Sequence, residues 1–93
     1  MERHELAAEI FRVAHITGDF RLRSDTVSHE YFDKYRFDSE PRLLAAIAAA
    51  LARLIPADGQ VLAGLEVGGV PVATALSQVT GLPAAFVRKA AKP

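Results

Sequence analysis

Residues 61–87 carry the pattern that most constrains the fold of this chain: a short apolar run, a glycine turn, a helical stretch and a second apolar run. The two runs, residues 61–65 and 84–87, have the length and continuity typical of strands that are buried on both faces. Between them we predict a helix over residues 71–80 that Gly81 ends. A strand, a helix and a strand in this order predict a βαβ unit, and hence a parallel sheet. The inward-facing helix positions are expected to be Val72, Leu76 and Val79.

The upstream third of the chain mixes short periodic segments with turn residues. Apolar residues at helical spacing predict a helix over residues 5–17. A short strand is predicted at residues 20–22, a turn at residues 24–28 and a half-exposed strand at residues 31–37, where aromatic and charged residues mix. These elements are expected to precede the sheet rather than to belong to it.

The clearest helix follows. Asp38 or Ser39 can cap it, with Glu40 and Pro41 in its first turn, where an acid suits the helix dipole and proline is tolerated. Pro56 is expected to lie beyond its end. Its apolar stripe consists of Leu43, Leu44, Ile47, Leu51 and Leu54, and alanines fill the other positions. Such a helix can pack closely on two sides.

Composition excludes several classes of protein. The chain has 93 residues, no cysteine, and equal numbers of basic and acidic residues, so its net charge is zero. Disulfides and thiolate metal sites are therefore excluded, and the excess positive charge of a generic nucleic-acid binder is missing. No apolar run approaches the ~20 residues that span a bilayer, and the charged N-terminus is unlike a signal peptide. We expect a cytoplasmic protein with neither a nucleic-acid nor a membrane partner.

Two segments could bind anions at the carboxyl edge of the predicted sheet. The glycine turn at residues 64–69 lies between a strand and a helix N-terminus, where free N–H groups and the helix dipole favour anions. The pattern alone fits an ordinary tight turn equally well, and it is neither a P-loop nor a dinucleotide-binding fingerprint. The second segment, Arg88, Lys89 and Lys92, directly follows the second strand. An isolated basic triplet is more often a solvated loop, but its place beside the glycine turn favours polyanion binding.

Four segments taken together resemble orotate phosphoribosyltransferase in order and spacing: residues 20–24 (FRLRS), 31–34 (YFDK), 64–71 (GLEVGGVP) and 86–92 (FVRKAAK). The last is the most specific of the four. The resemblance implies an α/β, type I phosphoribosyltransferase fold, in which a parallel sheet has flanking helices and an N-terminal hood. Residues 1–37 would form the N-terminal helix and hood strands, and residues 38–93 the first part of the α/β core.

The resemblance also implies an activity and a set of site residues. The family transfers 5-phosphoribosyl from 5-phosphoribosyl 1-diphosphate to orotate, with Mg²⁺, and its homodimer shares active sites across the interface. By position, the diphosphate substrate would be bound by Arg23, Val67, Gly68, Arg88, Lys89 and Lys92. Orotate would be contacted by Phe32, Asp33 and Lys34. Lys92 is assigned the catalytic role, and no residue is assigned as a metal ligand. Where this chain has Val67 and Gly68 the family often has Tyr-Lys, so this turn is expected to rely on main-chain donors.

One departure from the family is large: the acidic phosphoribosyl-diphosphate motif and the arginine that holds the orotate carboxylate are missing. In the family both normally lie beyond the position of residue 93. We therefore expect the chain to be the N-terminal portion of the enzyme, inactive and marginally stable alone. Two alternatives remain open: a phosphoribosyltransferase for another base, and a non-catalytic regulatory protein on the same fold.

Overall fold

The structure, a computed structural model, describes residues 1–91 as four helices and four strands in two small sheets. The elements in chain order are α1 (Arg3–Ala14), β1 (His15–Arg21), β2 (Val27–Phe32), α2 (Tyr35–Asp38), α3 (Pro41–Ala52), β3 (Leu62–Leu65), α4 (Val70–Thr80) and β4 (Ala84–Val87). Strands β1 and β2 form an antiparallel hairpin, and β3 and β4 form a parallel pair. None of the helices in this part of the chain has the length and apolar character needed to cross a membrane.

The first helix is shorter than the sequence predicts. It ends at Ala14, and His15 already pairs with Phe32 in the hairpin, so the predicted helix over residues 5–17 is wrong at its C-terminal end. Ile16 and Thr17 are β-branched, and such side chains lose more freedom in a helix than in a strand. Cross-strand pairing therefore outweighs the continued helical spacing of the apolar residues.

The second strand is displaced from its predicted position. It covers Val27–Phe32, and the segment predicted to continue it turns into the short helix α2. The turn begins at Asp33, whose carboxylate accepts a hydrogen bond from the Tyr35 N–H at 3.0 Å while its carbonyl accepts one from the Arg36 N–H at 3.2 Å. An aspartate that bonds its own backbone two residues on favours a turn over a strand.

The core lies between α1 and α3. Leu6 of α1 packs with Leu43 and Ile47 of α3, and the partly buried Phe37 of α2 closes one side. Helix α3 is capped by Glu40 rather than by Asp38 or Ser39, since the Glu40 carboxylate accepts from the Arg42 N–H at 3.3 Å. The predicted stripe holds over the helix but not beyond it. Leu54 follows the helix end and is 76% exposed.

The βαβ unit is confirmed. Strands β3 and β4 are parallel with Leu62 opposite Ala84 and Leu65 opposite Val87, and α4 connects them. Helix α4 ends where predicted, because Gly81 adopts a φ of 77°, a left-handed conformation that glycine tolerates.

The expectation that β3 is buried on both faces is wrong. Leu62 and Gly64 face α4, but Ala63 and Leu65 on the other face are exposed, Leu65 by 69%. Among residues 1–91 only one layer of helix covers the parallel pair, so a continuous apolar run here does not mean two buried faces. Val79, in the last turn of α4, was predicted to face inward but is 53% exposed.

The two predicted parts of the chain share one core. Leu6 lies in the first part (residues 1–37), and Leu43 and Ile47 lie in the second (residues 38–93). Helix α3 also contacts α4. Because of this shared packing, the hood hairpin and the strand pair are attached to the same helical layer.

Candidate anion site at the sheet edge

The carboxyl ends of β3 and β4 lie side by side. Leu65 is opposite Val87, and the Glu66 N–H donates to the Val87 carbonyl at 2.8 Å. Arg88 therefore directly follows the residue to which Glu66 of the glycine turn is hydrogen-bonded. The glycine turn and the basic segment were predicted to meet at one edge of a parallel sheet, and in the structure they do. Ligands bind at this edge in α/β folds.

The glycine turn uses some of its N–H groups and leaves others. The Gly69 N–H donates to the Leu65 carbonyl at 2.7 Å, and the Val70 N–H donates to the Val67 carbonyl at 3.1 Å. Within residues 1–91, the N–H groups of Val67 and Gly68 donate to no protein acceptor. The Glu66–Val67 peptide bond is cis. Two unused donors beside the N-terminus of α4 can bind an anion.

Gly64 lets β3 and α4 come this close. A Cβ at this position would lie 2.6 Å from the Gly69 carbonyl oxygen and 2.8 Å from the Cβ of Ala73. Both distances are below van der Waals contact, so a side chain here would push the strand away from the start of α4. The glycine therefore fixes the position of the turn relative to the helix N-terminus.

Lys34 reaches the glycine turn from the hood. A Cβ built on Gly68 would overlap the ammonium nitrogen of Lys34 and the carbon attached to it. The lysine and the turn line one open cleft of about 580 Å³, together with Leu51 of α3 and the inner side of α4. No carboxylate among the described residues forms an ion pair with Lys34. The cation thus lies against Gly68 of the glycine turn.

The other hood residues have different surroundings. The Asp33 carboxylate is engaged as the hydrogen-bond acceptor at the start of α2. The Phe32 ring lies 6.3 Å from the ring of Phe37, tilted by 56°, and about half of the residue is exposed. These two predicted orotate contacts therefore flank Lys34 along the chain but do not line the cleft with it.

Arg23 lies apart from the group. It is exposed in the turn between β1 and β2, and the length of β2 separates it from Lys34. Arg88 and Lys89 are exposed at the sheet edge, and no ion pair in the described part of the chain includes either. Lys92, the predicted catalytic residue, lies outside the described residues. Within residues 1–91 no three His, Asp or Glu side chains gather into a metal site.

Asp38 is a partly buried acid whose carboxyl senses the charge of Lys34. Neither of its carboxylate oxygens is accessible or has a hydrogen-bond partner among the described residues. Burial raises the pKa of the Asp38 carboxyl above its ordinary value, and the positive charge of Lys34 opposes that rise. The sequence analysis considered Asp38 only as a helix cap.

Sequence reasoning also missed the contact of Lys34 with Gly68. It placed Lys34 with orotate and left the turn with main-chain donors alone. A signal was present, because Gly68 offers free space where the family often has a lysine. The space shows that a cation could enter from elsewhere, but not which one.

Solved structures share this architecture. Orotate phosphoribosyltransferase of Mycobacterium tuberculosis in complex with inorganic phosphate has a TM-score of 0.79 and 34% identity, and the match covers 94% of this chain and 54% of that one. Its complex with 5-phospho-α-D-ribosyl 1-diphosphate has a TM-score of 0.72 at 34% identity, covering 94% and 53%. The chain therefore has the N-terminal half of a type I phosphoribosyltransferase fold, as predicted.

The sequence relatives agree with the fold. An orotate phosphoribosyltransferase of a Nocardioides species is 51% identical over 87 residues, which are 94% of this chain and 49% of the relative. No protein-family model matches the chain. The chain spans about half the length of the curated relatives it matches. It is homologous to the N-terminal half of the orotate phosphoribosyltransferases.

Proposed function

We propose that this chain supplies the hood and the diphosphate-binding edge of an orotate phosphoribosyltransferase. The reaction transfers 5-phosphoribosyl from 5-phosphoribosyl 1-diphosphate to orotate, giving orotidine 5′-phosphate and diphosphate in pyrimidine biosynthesis. The observation that carries the proposal is the sheet edge, where two unused N–H groups and the cations Arg88 and Lys89 lie together in a chain homologous to these enzymes. That the matched relatives bear this name favours orotate over another base and an enzyme over a regulatory protein.

The chemistry explains why the edge is cationic. As the bond between the ribose C1 and the diphosphate breaks, positive charge develops on the sugar and negative charge on the leaving diphosphate. Donors and cations that are fixed where this negative charge appears stabilise the transition state more than the ground state. The orotate ring nitrogen attacks C1, so no protein nucleophile is required. We assign diphosphate contacts to the main chain of Val67 and Gly68 and to Arg88, Lys89 and Lys92. Diphosphate binding by Arg23, which lies apart from these residues in this chain, and orotate contacts by Phe32 and Asp33 are proposed from the family resemblance alone.

Magnesium is the cation that we expect to accompany the diphosphate. The described residues hold no cluster of three acidic or histidine side chains, so they do not fit a site in which protein ligands alone hold the ion. The ion would bind through the diphosphate oxygens. A cytoplasmic homodimer with active sites shared across the interface is also part of the proposal, and sedimentation analysis of the protein measures its oligomeric state.

A chimera tests the function. This chain, joined to the C-terminal half of the Nocardioides relative, is expected to convert orotate and 5-phosphoribosyl 1-diphosphate to orotidine 5′-phosphate, whereas the 93-residue chain alone is expected to be inactive. In the chimera, Lys92→Ala should lower kcat far more than it weakens orotate binding, because it would remove a cation that meets the leaving group. A soluble, folded chimera that forms product with a purine base but not with orotate would contradict the proposed substrate.

A further inference from the structure

We infer that Lys34 serves the diphosphate rather than orotate: it supplies, from the hood, the side-chain cation that the glycine turn itself lacks. The inference rests on the proposed function and gives Lys34 a role other than the orotate contact that the family resemblance implies. It predicts that loss of the Lys34 charge weakens binding of the diphosphate substrate and not of orotate.

The space beside Gly68 is filled by the end of the Lys34 side chain. The ammonium group of Lys34 occupies the volume that a side chain at position 68 would need, since a Cβ on Gly68 would overlap it. The ammonium group therefore lies directly against the backbone of Gly68, where a side chain at this position would leave the turn. Gly68 is the residue that leaves this place open.

The surroundings of Lys34 favour an anion. Val67 and Gly68 present two N–H groups without protein acceptors, and the N-terminus of α4 adds its partial positive charge. A cation beside these donors is repelled unless an anion lies between them. Of the acids near Lys34, Glu66 lines the same cleft and Asp38 has a carboxyl with a raised pKa, and within residues 1–91 neither forms an ion pair with Lys34. The arrangement therefore fits a polyanion with several oxygen atoms better than it fits the single carboxylate of orotate.

The residues before Lys34 hold it at the start of α2. Phe32 packs against Phe37, and the Asp33 carboxylate bonds the backbone of α2, so the residues before Lys34 hold the start of this helix in place. Lys34 is the N-cap residue of α2, and its side chain extends into the cleft between the hood and the turn. The same contact links the hood to the turn, so diphosphate bound there would be held from both sides.

The first test is a titration of the 93-residue chain with inorganic pyrophosphate, followed by the backbone amide resonances of Val67 and Gly68. Lys34→Met keeps the aliphatic stem, and we expect it to weaken binding about tenfold or more, as expected for loss of a charge-assisted hydrogen bond. Arg36→Met removes a neighbouring exposed cation of α2 as the matched control and should change the affinity less than twofold. Lys34→Ala combined with Gly68→Lys, in which alanine leaves room for the new Cβ, should bind pyrophosphate more tightly than Lys34→Ala alone.

Three results would overturn the inference: a wild-type chain that does not bind pyrophosphate, a Lys34→Met chain that binds it as wild type does, or a double variant that recovers nothing. Far-ultraviolet circular dichroism of each variant checks that the exposed substitutions leave the fold intact. A lysine with only a structural role would not be rescued by a lysine at position 68.

The second test separates this inference from the proposed function. In the active chimera, Lys34→Met should raise the KM for 5-phosphoribosyl 1-diphosphate about tenfold and leave the KM for orotate unchanged. A rise in the orotate KM alone would restore the original assignment and refute ours. If pyrophosphate binding depends on Lys34 but a folded chimera makes no orotidine 5′-phosphate, the proposed function fails and the role of Lys34 stands.

Discussion

Gly64 gives the sharpest prediction about the fold, because a single methyl group there meets atoms on two sides. In Gly64→Ala the new Cβ lies 2.8 Å from the Cβ of Ala73, about 0.7 Å closer than the ~3.5 Å of an optimal carbon contact. It also lies 2.6 Å from the carbonyl oxygen of Gly69. Neither neighbour is the flexible end of a side chain, so the strand and α4 must separate.

The expected loss of stability can be worked out. Overpacking of this kind costs about 1–3 kcal/mol, and the smaller entropy of the unfolded alanine chain offsets about 0.4–1 kcal/mol of it. The net loss is therefore about 1–2 kcal/mol, which lowers the Tm of a domain of this size by about 4–16 °C. Urea and thermal unfolding of the 93-residue chain measure both quantities.

The matched control is the neighbouring residue on the opposite face. Ala63 is exposed, so Ala63→Val adds two methyl groups to the same strand and should change the free energy of unfolding by less than about 0.5 kcal/mol. If Gly64→Ala unfolds at the wild-type midpoint, or if Ala63→Val is as destabilising as Gly64→Ala, the close approach of β3 to α4 does not have the importance assigned to it.

Three further predictions concern other residues. Because the pKa of the Asp38 carboxyl is raised in the folded chain, the folded state holds its proton more tightly than the unfolded state, and stability contributed by this group is lost as pH rises through the raised value. Asp38→Asn should therefore stabilise the chain more at neutral pH than in acid; an equal gain in thermal unfolding at both pH values would refute this. Leu43→Ala should cost about 2–5 kcal/mol in urea unfolding, because Leu43 is 5% exposed at the centre of the core, and a loss below 1 kcal/mol would contradict that position. Arg88→Ala in the chimera should raise the KM for 5-phosphoribosyl 1-diphosphate more than that for orotate, and steady-state kinetics with each substrate varied would reveal the opposite order.

The sequence was sufficient for the parallel half of the fold. The apolar runs, Pro71 and Gly81 predict β3, α4 and β4 within a residue or two, because each boundary is marked by a residue with a strong local preference. The hood was harder to predict. The end of α1 at Ala14 depends on the pairing of His15 with Phe32, a contact between residues distant in sequence that local propensity does not report.

The candidate site was also predictable only in part. That the turn and the basic segment meet at one edge follows from the parallel topology, which the sequence predicts. That Lys34 enters the turn depends on α2, and α2 was predicted as a strand. In a strand, Lys34 would continue the hairpin, whereas the turn at Asp33 redirects the chain and carries the lysine towards Gly68.

The overlap between the Lys34 side chain and any side chain at position 68 also has an evolutionary consequence. A side chain at position 68 would displace the flexible ammonium end of Lys34, so only one of the two side chains can lie beside the glycine turn at this point. Related sequences should therefore fall into two groups, one with a lysine in the turn and a shorter residue in the hood, and one with a small residue in the turn and the cation in the hood.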